Sequence, residues 1–318
     1  MTGYALRRLG TAIFILVVMS LLVFLATHAL PSDTAALILG QYSTPETLAA
    51  LEHKLGLDLP LQVQYWNWAS ALLRGDLGQS LVMERPIAPI LWDAFGRSAI
   101  LAAVAMTIVA TVGVTMGVVA AVWRGRWPDH AVSVFAYLGI SVPEFYWGLV
   151  LILVFGSYLH LLPASGIGNL SDGLVSYASY LVLPVVTLAL GFLAHVSRLT
   201  RSSMAEELES MYVRVARSRG LPEHIVIVRH ALRNALLPTI TVLAQDFGFM
   251  IGGIVAIETI FAYPGLGRLL IFALQRQDLP LMQAAILVLT GVFCVANLVA
   301  DLLYGVANPR IRHGGAVD

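Results

Sequence analysis

This 318-residue sequence is poor in charge: 19 Lys+Arg and 19 Asp+Glu together make 12% of it, where a soluble domain carries about 25%. Lysine occurs once, at Lys54, and cysteine once, at Cys294. A single cysteine excludes an internal disulfide and any zinc site built on paired cysteines. Equal numbers of the two signs of charge give no basic field for a nucleic-acid partner. The sequence has no G-x-x-x-x-G-K-[ST] loop, and its one lysine falls in a predicted external segment, so this chain does not hydrolyse ATP through a P-loop. Neither H-E-x-x-H nor G-x-S-x-G occurs, which leaves hydrolysis inside the membrane without support. His224 and His230 stand six apart, a poor spacing for two ligands on one helix face, and read as polar loop residues. No catalytic residue and no metal site is predicted. What the chain has instead is 58% apolar residues. It is an integral membrane protein, with lipid as its surroundings.

Six stretches reach the ~20 apolar residues that ~30 Å of hydrocarbon requires: 9–30, 99–123, 131–160, 180–197, 235–257 and 281–307. The third is long enough to tilt or to extend past the bilayer. The run after Arg7-Arg8 exceeds the about 7–15 residues of a signal-peptide core and lacks a small-x-small cleavage site, so it reads as a retained span. With the N-terminus in the cytoplasm, 13 arginines fall inside and 6 of the 19 basic residues outside, and residues 161–179 hold none. By the positive-inside rule both termini are cytoplasmic. The predicted fold is an all-α membrane protein of six spans. Residues 1–30 form the cytoplasmic N-terminus and first span, 31–98 an external helical segment, and 99–318 the core with a cytoplasmic loop at 198–234.

In the external segment, Thr44-Pro45-Glu46 reads as an N-cap followed by proline at the first helical position, with Gly56 as the stop. Residues 60–73 give a second short helix carrying Tyr65, Trp66 and Trp68 and ended by Gly75. Aromatics this dense beside a span suit a helix at the membrane interface, either a lid or a docking surface for an external partner.

Ionisable groups inside spans cost roughly 2.5–3.5 kcal/mol each at mid-membrane. Glu144 follows Pro143, which frees a backbone carbonyl in the third span. Asp246 lies beside Gln245 near the middle of the fifth. Asn297 and Asp301 share a face of the sixth. Glu144, Gln245, Asp246 and Asn297 read either as a polar translocation route or as helix–helix hydrogen bonds of about 0.6–2 kcal/mol. Gly113 and Gly117 form a G-x-x-x-G pair that suits close helix packing.

The loop 198–234 carries seven arginines against Glu206, Glu207, Glu209 and Glu223. Residues 204–219 read as a helix, Gly220-Leu221-Pro222 as a break, and a second helix from Glu223 runs into the fifth span. The result is a knob that fits a groove on a soluble partner and transmits rigid-body motion to the spans.

The run Tyr212-Val213-Arg214-Val215-Ala216-Arg217-Ser218-Arg219-Gly220-Leu221, followed by 229–238, resembles the cytoplasmic loop of ABC-importer permeases of the dipeptide/oligopeptide/nickel branch. Arg214-Val215-Ala216 stands where the superfamily has Glu-Ala-Ala. Leu6-Arg7-Arg8-Leu9, 31–35, Leu55-Gly56-Leu57-Asp58, Arg74-Gly75-Asp76-Leu77-Gly78, 162–166, 258–267 and the 301–310 terminus also match that branch, so the resemblance covers nearly the whole chain.

The resemblance implies a type I importer permease that is not itself an enzyme and forms half of a pathway for di- or oligopeptides in a bacterial inner membrane. Its implied partners are a homologous second permease, two cytoplasmic ATPase subunits or one heterodimeric pair, and an extracytoplasmic binding protein. This chain would need no cofactor, since ATP and Mg would sit on the ATPases. Tyr212, Val213, Arg214, Ala216, Arg217, Arg219, Gly220 and Leu221 would meet the ATPase groove, with Ala216 and Gly220 allowing close approach. Tyr65, Trp66, Trp68, Tyr263 and Pro264 would face the external partner. Nickel chelates and haem are alternative cargoes. A secondary transporter driven by protons through Asp246 or Glu144 would show inverted repeats, and a channel a filter or rings of charge; the sequence offers neither.

Overall fold

The computed structural model describes residues 2–29, 44, 46 and 58–307. The predicted helix after Thr44 and the resemblances at 31–35, 55–57 and 308–310 lie outside these residues. Among the described residues, five helices are long and apolar enough to cross a membrane, and six spans result when one sharply bent pair counts as one.

The first long helix, α1 (Thr2–Ala29), is uniformly apolar beyond its first turns. The short α2 (Leu61–Leu73) begins after Pro60 and ends at Gly75, whose φ of +82° suits glycine. A two-residue hairpin follows, β1 (Gln79–Ser80) antiparallel to β2 (Arg85–Pro86). Pro86 opens α3 (Ile87–Ile108), which continues through a π-helical turn (Val109–Gly113) into α4 (Val114–Val122).

The predicted third span is corrected. It consists of α5 (Trp127–Ser141) and α6 (Glu144–Leu151, extended by the π-helical Ile152–Tyr158), bent by 104°. Val142 is extended at φ −110°, ψ 126°, because the ring of Pro143 clashes with a helical backbone at the residue before it.

Next, α7 (Leu174–Glu209) runs unbroken for 36 residues, twice the predicted span. The predicted helix over 204–219 is thereby split. Ser210 turns extended at φ −65°, ψ 155°, its hydroxyl donating back to the Glu207 carbonyl at 2.6 Å, and α8 (Met211–Ser218) begins. A helical turn (Glu223–Ile225) and a π-helical stretch (Val226–Ala231) lead into α9 (Leu232–Ile260), as expected. A ten-residue helix absent from the sequence reading, α10 (Leu266–Gln275), precedes α11 (Leu279–Ala307).

The centre is α7, packed on α3, α4, α5, α6 and α9. Its contacts are close because small residues line them, as membrane packing without a hydrophobic drive requires. A Cβ on Gly117 would come within 2.6 Å of the Ser197 carbonyl, and one on Gly113 within 3.2 Å of Val196. The G-x-x-x-G pair thus seats α4 on α7. Polar bonds fasten the ends: buried Asp129 accepts from both Arg201 Nε and, at 2.8 Å, Arg201 Nη2, and Arg8 pairs with Asp301 at 3.2 Å.

Candidate functional site: cytoplasmic knob and central groove

The knob is built on α8. Val213 and Ala216, three apart, are buried in a cluster with Met204, Val226, Ala231 and Ala235. The opposite face carries Met211, Arg214, Val215 and Arg219, all exposed. Tyr212 bridges three elements: its hydroxyl donates to the Glu207 carboxylate at the end of α7 and accepts from Asn234 Nδ2, at 3.0 Å, at the start of α9. Burial first and then the Glu207 hydrogen bond hold the Tyr212 phenol above its ordinary pKa. Arg217 turns back to Glu223, donating at 2.6 and 3.2 Å. Gly220 closes α8 with φ +76° and donates its N–H to the Arg217 carbonyl at 3.0 Å, the left-handed helix stop for which glycine is the usual residue.

The groove lies between α7 and α9. Asp246 is buried and accepts from His195 Nδ1, 3.2 Å from both carboxylate oxygens, while 43% of the His195 side chain stays exposed. Glu144, at the bend, reaches between the same two helices: a Cβ on Gly191 or on Gly253 would each stand 3.1 Å from one of its carboxylate oxygens. Gln245 points away and is exposed. Asn297 donates to the Phe293 carbonyl one turn back at 2.9 Å and lies against Gly248.

Two buried carboxylates organise the external side. Glu258 accepts from the Ser98 hydroxyl and from the N–H groups of Gly267 (2.8 Å) and Arg268 (3.2 Å), while the Leu266 N–H donates to Ser98 Oγ at 2.8 Å. The first turn of α10 is therefore capped by the end of α9 and by α3. Asp278 accepts from Ser80 Oγ at 2.5 Å and from the N–H groups of Val82 (3.2 Å), Leu81 and Leu281 (both 3.3 Å), pinning the hairpin to α11. Tyr65 and Trp68 stack around Phe24 of α1, and Trp66 faces outward at 72% exposure.

Residues 113–313 match the family model described as "Binding-protein-dependent transport system inner membrane component", and residues 1–118 match the model for its N-terminal part. The chain belongs to this family. It is an ABC-importer permease, the membrane subunit of a system whose ATP hydrolysis lies on partner subunits. The permease is 39% identical, over 98% of its length and all of the relative's, to the "Glutathione transport system permease protein GsiC" of Escherichia coli (strain K12). It is 38% identical over the same shares to the protein of that name from Salmonella choleraesuis (strain SC-B67). Its fold is similar to a solved structure titled "Crystal structure of an amino acid ABC transporter with histidines", with TM-score 0.50, 16% identity, 68% of this chain and 94% of that one. The all-α importer fold stands, and the secondary transporter and the channel give way to it.

The expected contact residues divide between inward and outward positions. Val213 and Ala216 face the interior of the permease itself, so they seat the knob instead of touching a partner. Arg217 is engaged by Glu223. Tyr263 is fully buried, its hydroxyl donating to the Arg97 carbonyl at 3.1 Å, so it anchors the external loop from inside and cannot meet an external partner. Pro264 is half-buried, its carbonyl accepting from Arg97 Nη1 at 3.3 Å. Two residues at these sites, His195 and Asp278, escape the sequence reading, and Asn234 and Glu258 enter it only within the matches at 229–238 and 258–267. His195 lies inside the predicted span 180–197, where the rule that marks Asp246 applies equally to it.

Proposed function

We propose that this permease forms half of the translocation pathway of an ATP-driven importer of short peptides, glutathione among them. The observation that carries the cargo is its identity of 38–39% with glutathione permeases over the whole of both chains. The pathway would be completed by a homologous second permease. Two ATPase subunits, identical or a heterodimeric pair, would bind ATP and Mg, and an extracytoplasmic binding protein would deliver the peptide. Both termini would lie in the cytoplasm, which the arginine distribution supports. Residues 31–98 would face outward, with Trp66 an exposed aromatic there for a partner to meet. The ATPase would grip exposed residues of the knob, Tyr212, Arg214, Arg217, Arg219, Gly220 and Leu221 among them. Exposed ion pairs contribute only about 0–1 kcal/mol each, so shape would dominate that contact.

The test is to purify the tagged chain in mild detergent with its partners, reconstitute the complex, and measure ATP-dependent accumulation of a labelled dipeptide and of glutathione. Uptake of either supports the reading. Uptake of nickel chelate or haem alone reassigns the cargo.

A further inference from the structure

The two polar features of the α7–α9 groove lie on one track. Gly191 and His195 are four apart, so they share a face of α7; Asp246 and Gly253 are seven apart and share a face of α9. Glu144 touches the first and last of these four residues, and the His195–Asp246 bond joins the other two. The two groups therefore sit in the same groove, ~6 Å apart along α7 and ~10 Å apart along α9 by helix rise.

They differ in how they are satisfied. Glu144 has no hydrogen-bond or ion-pair partner among the described residues, although it is half-buried and its oxygens lie against two glycines. A Cβ at either glycine would crowd the carboxylate, so their bareness leaves space around it. An intramembrane carboxylate without a partner is costly unless it takes up a proton or a cation visits it. His195 is the reverse case. Asp246 accepts from Nδ1 and so orients the ring, while Nε2 has no partner among the described residues and the side chain is 43% exposed.

We propose that this groove holds a two-point subsite for a zwitterionic short peptide, Glu144 receiving the terminal ammonium and His195, held by Asp246, receiving the terminal carboxylate. Two extended residues span ~7 Å, which falls between the ~6 Å and ~10 Å that separate the two groups along α7 and α9. The subsite deepens the peptide-import reading and rests on it.

The experiment uses the complete reconstituted importer with its second permease, ATPases and binding protein, and compares a labelled dipeptide with its N-acetyl and C-amide forms. Glu144→Gln is expected to cut uptake of the free dipeptide about tenfold and to leave N-acetyl dipeptide at the wild-type rate. Glu144→Asp, which keeps the charge, is expected to retain at least a third of uptake. His195→Ala is expected to cut uptake of the free dipeptide and spare the C-amide. Membrane insertion and co-purification with the second permease and the ATPases are expected to match wild type in all three, which separates loss of the subsite from loss of assembly. Unchanged dipeptide uptake in Glu144→Gln, equal proportional loss for free and N-acetyl forms, or equal loss in Glu144→Gln and Glu144→Asp would overturn the subsite. A wild-type importer that takes up no peptide would overturn the peptide reading itself.

Discussion

Tyr212 reaches back across the break at Ser210 to give its hydroxyl proton to Glu207, so the last turn of α7 and the first turn of α8 are fastened by a bond that neither helix makes alone. Asn234 donates to the same oxygen and brings the start of α9 into the arrangement. The angle at which the knob leaves the membrane is set by this three-way junction.

Removing that hydroxyl is therefore expected to loosen the knob without unfolding the spans. Tyr212→Phe deletes two exposed hydrogen bonds worth about 1 kcal/mol each at most. Trypsin cleavage at Arg214 and Arg219 in the purified protein is expected to speed up roughly fivefold, the factor for about 1 kcal/mol of local opening. An unchanged rate would remove Tyr212 from the junction.

Gly220 offers a sharper contrast. At φ +76° a leucine costs about 1–2 kcal/mol of backbone strain, while asparagine tolerates that region. Gly220→Leu is expected to insert normally and to lose uptake, and Gly220→Asn to keep most of it, as measured in reconstituted vesicles. Normal transport by the leucine variant would refute a docking role for this turn.

The seat of α4 on α7 predicts a stability difference between two glycines. Gly117→Ala places a Cβ against Thr200 and the Ser197 carbonyl and is expected to destabilise by about 1–3 kcal/mol through overpacking. Gly96→Ala, with nothing within 4 Å of the new methyl, is expected to be neutral or stabilising by up to about 1 kcal/mol. Thermal unfolding of the two variants in one detergent compares them directly.

On the external side, Asp278→Ala removes the acceptor of four hydrogen bonds. The Leu81 and Val82 amides are expected to exchange at least tenfold faster with deuterium, since unmade buried bonds cost about 1–3 kcal/mol. Exchange unchanged at these two amides would show that the hairpin holds without the clamp.

The spans were legible because hydrocarbon thickness imposes a length that any apolar run must meet, and α1, α7, α9 and α11 meet it. The turn at Gly220 was legible for a local reason, since glycine before Leu-Pro has few alternatives. The break at Ser210 was not, because serine is nearly neutral in a helix and the Tyr212 hydroxyl beside the break is held by Asn234, 22 positions further on. The same limit hid the pairing of His195 with Asp246, 51 residues apart, and of Ser98 with Glu258, 160 apart. Burial of Tyr263 follows from the Glu258 and Arg97 contacts, so a motif that looks like an outward loop is an inward anchor. The short α10 was missed because its ten residues fall below the length at which the membrane leaves a signature.

The uninterrupted course of α7 also has a mechanical meaning. His195 and Ser210 lie on one rod ~22 Å apart by helix rise, with no break between them. Over that distance a tilt of about 5° imposed at the knob displaces the imidazole by ~2 Å, enough to part a hydrogen bond to cargo. If the groove holds cargo, this one continuous helix would couple grip and release there directly to the angle of the knob, with no relay of side-chain rearrangements between them.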